Sequence, residues 1–327
     1  MTPEFFGGFF MENEKLFVLI MGPTGVGKTD IALALAQRLP HCIEIINADV
    51  GQFYEPLTIG TAKPLLEHPV VPHHLFNVIE RPEHFTVMEF RKVALERLQE
   101  IWSKKKIPVV VGGSGFYSKA LFFPPCQLES KKQVELEAKS TAQLWQELKE
   151  VDSVRAQEIH PHDRYRIQRA LEIWYTFGIK PSLCKPLFDP PGNALVYFIT
   201  RERDELYRRI NERTKMMLLS GWIEEVEHLS SGWWDFLLHK KLLGYPEIIS
   251  YCRKELSRAQ VEESIAQKTR AYAKRQITFW RSLEQELKKY DPCGTFVKDI
   301  REINLTFLSA DLYIEELEER LTDFCQI

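Results

Sequence analysis

The chain has 327 residues, of which 44% are hydrophobic and 27% are charged. This composition is typical of a globular protein and excludes a disordered or collagen-like chain. No uninterrupted apolar run approaches the ~20 residues that cross a bilayer, so we expect no membrane segment. The six cysteines form no C-x-x-C pair. We therefore expect reduced thiols in a cytoplasmic protein, and neither a zinc site nor a disulfide framework.

The net charge of −3 is distributed unevenly along the chain. Residues 311–327 contain six acidic residues and one arginine, which leaves the rest of the chain with a small positive charge. The whole-chain value therefore does not exclude a nucleic-acid partner. At the other end, residues 1–13 are predicted to be a loose extension without the pattern of a secretory signal, and Met11 is an alternative start.

Short apolar strands are predicted to alternate with helices along most of the chain. The strands are expected at 16–21, 42–48, 107–111 and 194–200, and the clearest helices at 28–39, 86–104 and 262–283. Such an alternation indicates an α/β fold, in which helices flank a parallel sheet. Residues 14–124 and 188–327 are predicted to form this core domain, and 125–187 a helical insertion domain. Ordinary crossover helices are the alternative for that stretch.

A glycine-rich segment between the first strand and the first helix matches the phosphate-loop pattern G-x-x-x-x-G-K-[ST]. Its members are Gly22, Pro23, Thr24, Gly25, Val26, Gly27, Lys28 and Thr29. Glycines let backbone N–H groups point at phosphate oxygens, and the helix N-terminus adds positive potential. The lysine supplies a charge, and the final hydroxyl can bind Mg²⁺. We therefore predict a site for a di- or triphosphate.

The motif leaves the phosphate chemistry open. NTPases of this class usually hold their metal with an aspartate at the end of a neighbouring strand. The third predicted strand ends at Gly112-Gly113-Ser114 without an acid, whereas the second ends at Asp49. One carboxylate and one hydroxyl suit proton abstraction from a nucleophile as well as they suit metal binding.

Further segments resemble the tRNA dimethylallyltransferase family, also called tRNA isopentenyltransferases, from about residue 16 to 283. They read NAD at 47–49, IGTAKP at 59–64, PHHL at 72–75, VGGSGFY at 111–117, IHPHD at 159–163, RALE at 169–172 and TRAYAKRQ at 269–276. The chain lacks the Cys/His finger pattern that eukaryotic relatives append, so it resembles the bacterial type. The family generally has Thr where this chain has Ser114, and often has Ser where it has Val50.

The resemblance implies transfer of a dimethylallyl group from dimethylallyl diphosphate to N6 of the adenosine 3′ of the anticodon, tRNA position 37. The phosphate loop would then hold the diphosphate of the prenyl donor. Catalytic roles are implied for Asp49 as the base, and for Ser114 and Arg270. Mg²⁺ would be bound at Thr29. We also expect a monomer without a membrane partner.

The same resemblance implies two segments that contact the anticodon stem-loop. They comprise Asp49, Val50, Gly51 and Gln52 in the core, and Tyr165, Arg166, Ile167, Gln168 and Arg169 in the insertion. On a helix from residue 164, Arg166 and Arg169 lie opposite an apolar side, which makes a plausible phosphate-contacting face. A solvated charged face is the alternative.

Aromatic residues in the C-terminal half have two interpretations. Trp222, Trp233, Trp234 and Tyr245 either pack in the interior or stack on an extruded adenine. The histidine pairs at 73–74 and 160–162 are interpreted as hydrogen-bonding residues, the first near the donor site or the sheet edge.

Three other functions remain open at this stage. A small-molecule kinase or NTPase would need a metal-binding acid beside the loop. A prenyltransferase acting on free AMP or ADP would not need the insertion and its basic face. A non-catalytic RNA-binding module would not need Asp49.

Overall fold

A computed structural model describes residues 15–64, 66–67, 69–125, 133–184 and 186–325. The predicted extension at 1–13 lies outside this part of the chain. The molecule divides into two compact units. The helical unit is Phe123–Asp189, and the sheet unit contains the chain on either side of it. The predicted insertion, 125–187, falls within the helical unit.

Six strands, all parallel to their neighbours, form one sheet in the described residues. They are β1 (Leu16–Met21), β2 (Ile43–Asn47), β3 (His73–His74), β4 (Ile107–Gly112), β5 (Asn193–Thr200) and β6 (Val297–Asn304). Their order in the sheet is β3-β2-β4-β1-β5-β6. The four predicted strands are confirmed, and the structure adds one strand at each edge.

Helices cover this sheet. In the sheet unit they are α1 (Lys28–Arg38), α2 (Val87–Ser103), α3 (Gly115–Phe122), α8 (Arg203–Leu219), α9 (Trp222–Glu227), α10 (Ser231–Lys240), α11 (Tyr245–Cys252), α12 (Arg258–Tyr290) and α13 (Ala310–Cys325). Helix α12 extends beyond its predicted range at both ends. Its N-terminus is fixed by a capping box, in which Ser257 and Gln260 satisfy each other's backbone N–H groups. The arrangement confirms the predicted α/β class.

The core of the sheet unit lies on the apolar strands. All six residues of β1 are buried, as expected for a central parallel strand. Trp280 of α12 stacks on Phe198 of β5, with ring centroids 4.8 Å apart and nearly parallel planes. This contact helps to fix α12 against the sheet. The described residues Cys42, Cys252 and Cys293 take part in no disulfide.

The helical unit has its own small core. It contains α4 (Gln133–Ala138), α5 (Thr141–Val151), α6 (Ser153–Glu158) and α7 (Arg164–Phe177). Leu144 and Leu148 of α5 pack with Ile167 and Leu171 of α7. The four-residue spacing within each pair places both side chains on one helix face.

Parallel strands bring the functional segments to one edge of the sheet. Met21 of β1 pairs with Gly112 of β4, and Asn47 of β2 pairs with Val111. The chain segments that leave these three strands therefore start side by side. Ligands of open α/β sheets bind at this carboxyl edge. Among the described residues, no helix combines the length and apolar character that a membrane span requires.

Candidate active site

The phosphate loop connects β1 to α1 in a conformation that depends on glycine. Gly25 has φ +80° and Gly27 has φ +110°, both in the left-handed region that side chains rarely adopt. Gly27 is the N-cap of α1 and has no side-chain cap, so the first N–H groups of the helix face the site. Lys28 Nζ donates to the carbonyl of Pro23, 3.0 Å away. The segment has the shape of an anion cradle.

Three side chains from distant helices and strand ends hold this loop. Arg209 Nε donates to the Gly25 carbonyl at 2.9 Å, and Arg201 Nε donates to the Val26 carbonyl at 3.0 Å. On the other side, Gln276 of α12 accepts from Thr24 N at 2.9 Å and donates to the Gly113 carbonyl at 2.7 Å. The loop is therefore tied both to α12 and to the end of β4.

Asp49 begins a tight turn directly after β2. The side-chain oxygen of Asn47 accepts from Asp49 N at 2.9 Å, and Asp49 Oδ1 accepts from Gly51 N at 3.2 Å. Residues Val50–Phe53 form one turn of 3₁₀ helix. Ser114 Oγ, at the end of β4, accepts from Val50 N at 3.0 Å. The Ser114 hydroxyl thus links the Asp49 turn to β4.

A cavity lies between the phosphate loop and the Asp49 turn. Its volume is about 600 Å³ including its open mouth. The candidate residues that line it are Thr24, Lys28, Thr29, Asp49 and Gln52, and the rest of its wall includes Thr61, Pro64, His73, Phe76 and Arg213. The structure therefore brings together cations, a hydroxyl and a carboxylate around one space.

The electrostatics of this cavity favour a bound anion. Burial lowers the pKa of Lys28 to about 8, an effect that Asp49 opposes and Arg213 reinforces. Burial also lowers the pKa of Arg213, and the carboxylates of Asp49 and Asp30 oppose that shift. Burial destabilises the charged forms of both side chains. An anionic ligand in the cavity would stabilise both charges.

Tyr272 adds a neutral hydroxyl to the site. Burial and then the Asp49 carboxylate raise the pKa of Tyr272 above its ordinary value, while hydrogen bonds with Ser114 and Gln276 oppose the shift. The phenol therefore stays protonated and neutral. One polar cluster near Asp49 therefore contains Tyr272, Ser114 and Gln276.

The remaining candidates take other positions. Arg270 of α12 donates to Asn211 Oδ1 at 2.6 Å and to Glu263 Oε1 at 3.0 Å, and it is not part of the cavity wall. Val26 is fully buried in the core. The other loop members, Gly22, Pro23, Gly25 and Gly27, shape the backbone of the phosphate loop.

In the helical unit, four of the five candidates are available to solvent. Tyr165 is 76% exposed, Arg166 is exposed, and Gln168 and Arg169 are half-buried. The side chain of Ile167 is instead fully buried in the core of the helical unit, so it offers no exposed surface to RNA. Arg166 and Arg169 pair with Asp163 and Glu172 one helical turn away.

Most of the singled-out aromatic residues are packed in the interior, and the histidine pairs form hydrogen bonds. Trp222, Trp233 and Tyr245 are all buried, so they do not offer free faces to a base. His74, on the edge strand β3, contacts Glu44 Oε2 at 2.8 Å, and the predicted edge position is confirmed. His160 Nδ1 accepts from His162 N in the loop before α7.

Sequence reasoning missed Arg213, Gln276 and Tyr272. Tyr272 and Gln276 belong to the TRAYAKRQ segment, and their four-residue spacing placed both on one face of the helix. Arg213 follows Arg209 by the same spacing on α8, which was the available signal. The distance along the chain from the phosphate loop concealed its role.

Family models decide the classification of the chain. A model described as IPP transferase matches residues 52–283, and one described as Isopentenyl transferase matches residues 15–71. The chain belongs to the IPP transferase family. A tRNA dimethylallyltransferase of Natranaerobius thermophilus is 37% identical over 82% of this chain and 84% of its own length. One from Alkaliphilus oremlandii is 36% identical over 88% of this chain and 96% of its own.

Solved structures agree with this classification. The full-length tRNA isopentenylpyrophosphate transferase of Bacillus halodurans is 30% identical, with a TM-score of 0.63 over 96% of this chain and 97% of its own. A eukaryotic dimethylallyltransferase acting on tRNA is 25% identical, with a TM-score of 0.74 over 94% of this chain and 80% of its own. The family and the α/β fold are thus established together.

Proposed function

We propose that this protein transfers the dimethylallyl group of dimethylallyl diphosphate to N6 of adenosine 37, which lies 3′ of the anticodon in tRNA. The observation that carries the proposal is the cavity that places the phosphate loop opposite a single carboxylate, Asp49, in a member of the IPP transferase family. In this reaction the bond from the allylic carbon to the diphosphate oxygen breaks, a bond from that carbon to N6 forms, and diphosphate leaves.

The donor half of the site binds diphosphate. The amides at the start of α1, Lys28 and Arg213 surround the leaving group, whose negative charge grows as the allylic carbon becomes cation-like. Fixed positive groups at that position lower the barrier most effectively. Arg270 is proposed as a further cation on this side because it belongs to the family-like segment TRAYAKRQ of α12, which also carries Tyr272 and Gln276.

Mg²⁺ is the proposed cofactor, with Thr29 as its protein ligand. The Thr29 side chain lines the cavity next to Lys28, and Mg²⁺ usually combines one or two protein oxygens with phosphate oxygens and water. The residues present therefore fit the ion. When bound, it would neutralise charge on the leaving diphosphate.

The acceptor half of the site is built around Asp49. An exocyclic adenine amine is a weak nucleophile, because its lone pair is delocalised into the ring. Asp49 is proposed to accept the N6 proton as the new bond forms. Ser114 acts here by holding Val50 N and by contacting Tyr272, so it fixes the turn that carries the carboxylate.

The tRNA is proposed to contact both units. Val50, Gly51 and Gln52 follow the base in the sheet unit. The exposed or half-buried side chains of Tyr165, Arg166, Gln168 and Arg169 offer one aromatic ring and two cations in the helical unit. Cations of this kind contact phosphates of the anticodon stem without reading its sequence.

The decisive experiment is a product assay. The purified protein is incubated with Mg²⁺, dimethylallyl diphosphate and unmodified tRNA, and the digested tRNA is examined by mass spectrometry. We expect N6-dimethylallyl-adenosine in the tRNA and no modified AMP. Modified AMP would select the free-nucleotide reaction instead. Neither product, with a control enzyme active on the same tRNA, would overturn the proposal and make ATP consumption the next assay.

A further inference from the structure

The loop at residues 58–64 forms one wall of the cavity beside the Asp49 turn. Thr61 and Pro64 line the cavity, and Gln52 Nε2 donates to the carbonyls of Thr61 and Ala62 at 3.1 and 3.3 Å. Ala62 has φ +49°, in the left-handed region that costs an alanine free energy. The surrounding structure must hold this loop in place.

Glu225 of α9 fixes the loop through hydrogen bonds to its backbone. Its Oε2 accepts from Thr58 N at 2.8 Å and from Ile59 N at 2.6 Å. Its Oε1 accepts from Gly60 N at 3.3 Å and from the Tyr245 hydroxyl at 2.9 Å. Hydrogen bonds to a carboxylate are about twice as strong as neutral ones. A single charged side chain therefore binds three consecutive amides of the loop.

Packing leaves the loop little freedom around this carboxylate. A Cβ atom at Gly60 would lie 2.0 Å from Trp222 Nε1 and 2.5 Å from the Tyr245 hydroxyl, so the loop backbone lies directly on both buried rings. Trp222 and Tyr245 meet edge to face, with centroids 5.6 Å apart. Glu225, Trp222 and Tyr245 together form the surface on which residues 58–60 pack.

These contacts of Glu225, Trp222 and Tyr245 stabilise the side of the cavity that contains Asp49. The loop reaches the Asp49 turn through Gln52, whereas the phosphate loop is held by Arg201, Arg209 and Gln276. We infer that Glu225 is a positioning residue for the tRNA substrate, which sets the loop at 58–64 and, through Gln52, the turn that presents Asp49 to the adenosine. This inference rests on the proposed function.

The test is a steady-state comparison of three variants. Glu225→Gln removes the charge and places an amide against backbone donors, and Tyr245→Phe removes one hydrogen bond while the ring stays. Glu224→Gln is the matched control, because Glu224 is the neighbouring exposed acid on α9. Each variant is measured for KM of tRNA, for kcat, for dimethylallyl diphosphate affinity without tRNA, and for thermal unfolding.

We expect Glu225→Gln to raise the KM for tRNA or lower kcat so that kcat/KM for tRNA falls about tenfold, as for the loss of one hydrogen bond to a charged group. Donor affinity and the Glu224→Gln enzyme should match wild type. Tyr245→Phe should show a smaller effect in the same direction, and it keeps the test open if Glu225→Gln does not fold. Equal losses of donor and tRNA affinity, or unchanged kcat/KM in both variants, would overturn the inference. A wild-type enzyme without product would instead refute the proposed function.

Discussion

At the scale of single residues, the site is organised around one carboxylate. Asp49 is oriented by Asn47 on one side and by its own turn on the other, so its position is fixed before substrate arrives. Lys28 and Arg213 share the cavity with it and interact with it electrostatically. In the proposed reaction, this carboxylate takes the proton of a nucleophile that attacks toward the phosphate loop.

The proposed role of Asp49 as the base predicts a specific kinetic defect. Asp49→Asn keeps the shape of the side chain but cannot accept the proton, so kcat should fall roughly 10²–10⁴-fold. Binding of tRNA and of dimethylallyl diphosphate, measured separately by titration, should stay within a few-fold of wild type. If the affinity for tRNA fell by the same factor as kcat, Asp49 would instead be a residue that contacts the tRNA.

The depressed pKa of Lys28 predicts how donor binding depends on pH. Lys28 is charged below pH 8 and loses its proton as the pH rises through about 8. The affinity for dimethylallyl diphosphate should therefore fall above that pH, by up to about tenfold per unit. Calorimetry between pH 6.5 and 9.5 measures this slope.

Lys28→Met should bind the donor weakly and without this pH dependence. Lys63 provides the matched control, because burial lowers its pKa to about 8 as well, while its Nζ donates to the carbonyls of Tyr54 and Glu55 instead of facing the phosphate loop. Lys63→Met should keep the wild-type slope. The same slope in Lys28→Met would remove Lys28 from the explanation.

Single residues differ in how well the sequence predicts them. Lys28 and Asp49 were predictable, because each follows a strand within a short local pattern whose chemistry is specific. Arg213 was not, since it reaches the cavity from a helix more than 180 residues away, and only tertiary packing decides which arginine of α8 points inward. Ile167 shows a limit of predicting a contact from a contiguous segment, because its side chain faces the core of the helical unit.

At the scale of elements, α12 connects the two halves of the site. Gln276 joins the phosphate loop to the end of β4, and Tyr272, one turn earlier, reaches Ser114 and the surroundings of Asp49. Trp280, one turn later, anchors the helix on β5. Helix α12 thereby connects the phosphate loop with the surroundings of Asp49.

This role of α12 predicts the effect of Gln276→Leu. The change leaves Thr24 N and the Gly113 carbonyl without their partner in a buried position, and such losses cost about 1–3 kcal/mol. Donor affinity should fall about tenfold, as measured by calorimetry. Gln267→Leu, an exposed glutamine on the same helix, is the control and should match wild type. Unchanged donor affinity in Gln276→Leu would show that the loop keeps its shape without α12.

Edge elements explain which parts of the fold the sequence did not predict. The central strands are continuous apolar runs, because both faces of a parallel sheet are covered. Strand β6 reads VKDIREIN, in which two pairs of charged residues interrupt the apolar ones, and β3 has only two residues. Neither carries the signal of a buried strand. Their pairing is decided by neighbours, β5 and β2, that are distant in the sequence.

At the scale of the whole molecule, the proposed function assigns the chemistry to the sheet unit and part of the RNA contact to the helical unit. The sheet unit contains the cavity with all its cations, and the helical unit contains a separate core with an exposed basic helix, α7. The acidic C-terminal helix explains why the net charge hides these features. Arg38 of α1 pairs with Glu315 and Glu318 of α13, so part of that negative charge is neutralised within the sheet unit.

The division predicts that the helical unit contributes salt-dependent affinity and the cavity contributes chemistry. Removing two phosphate contacts with Arg166→Ala and Arg169→Ala should weaken tRNA binding and reduce the slope of log K against log salt by about 1–2, because each neutralised phosphate contributes ~0.7–0.9 to that slope. The kcat at saturating tRNA should stay near wild type. Arg155→Ala, which removes an exposed ion pair with Glu158 elsewhere in the same unit, should leave the slope unchanged. A double variant with the wild-type slope would mean that the basic face of α7 is only solvated, and tRNA would then have to be held by the sheet unit.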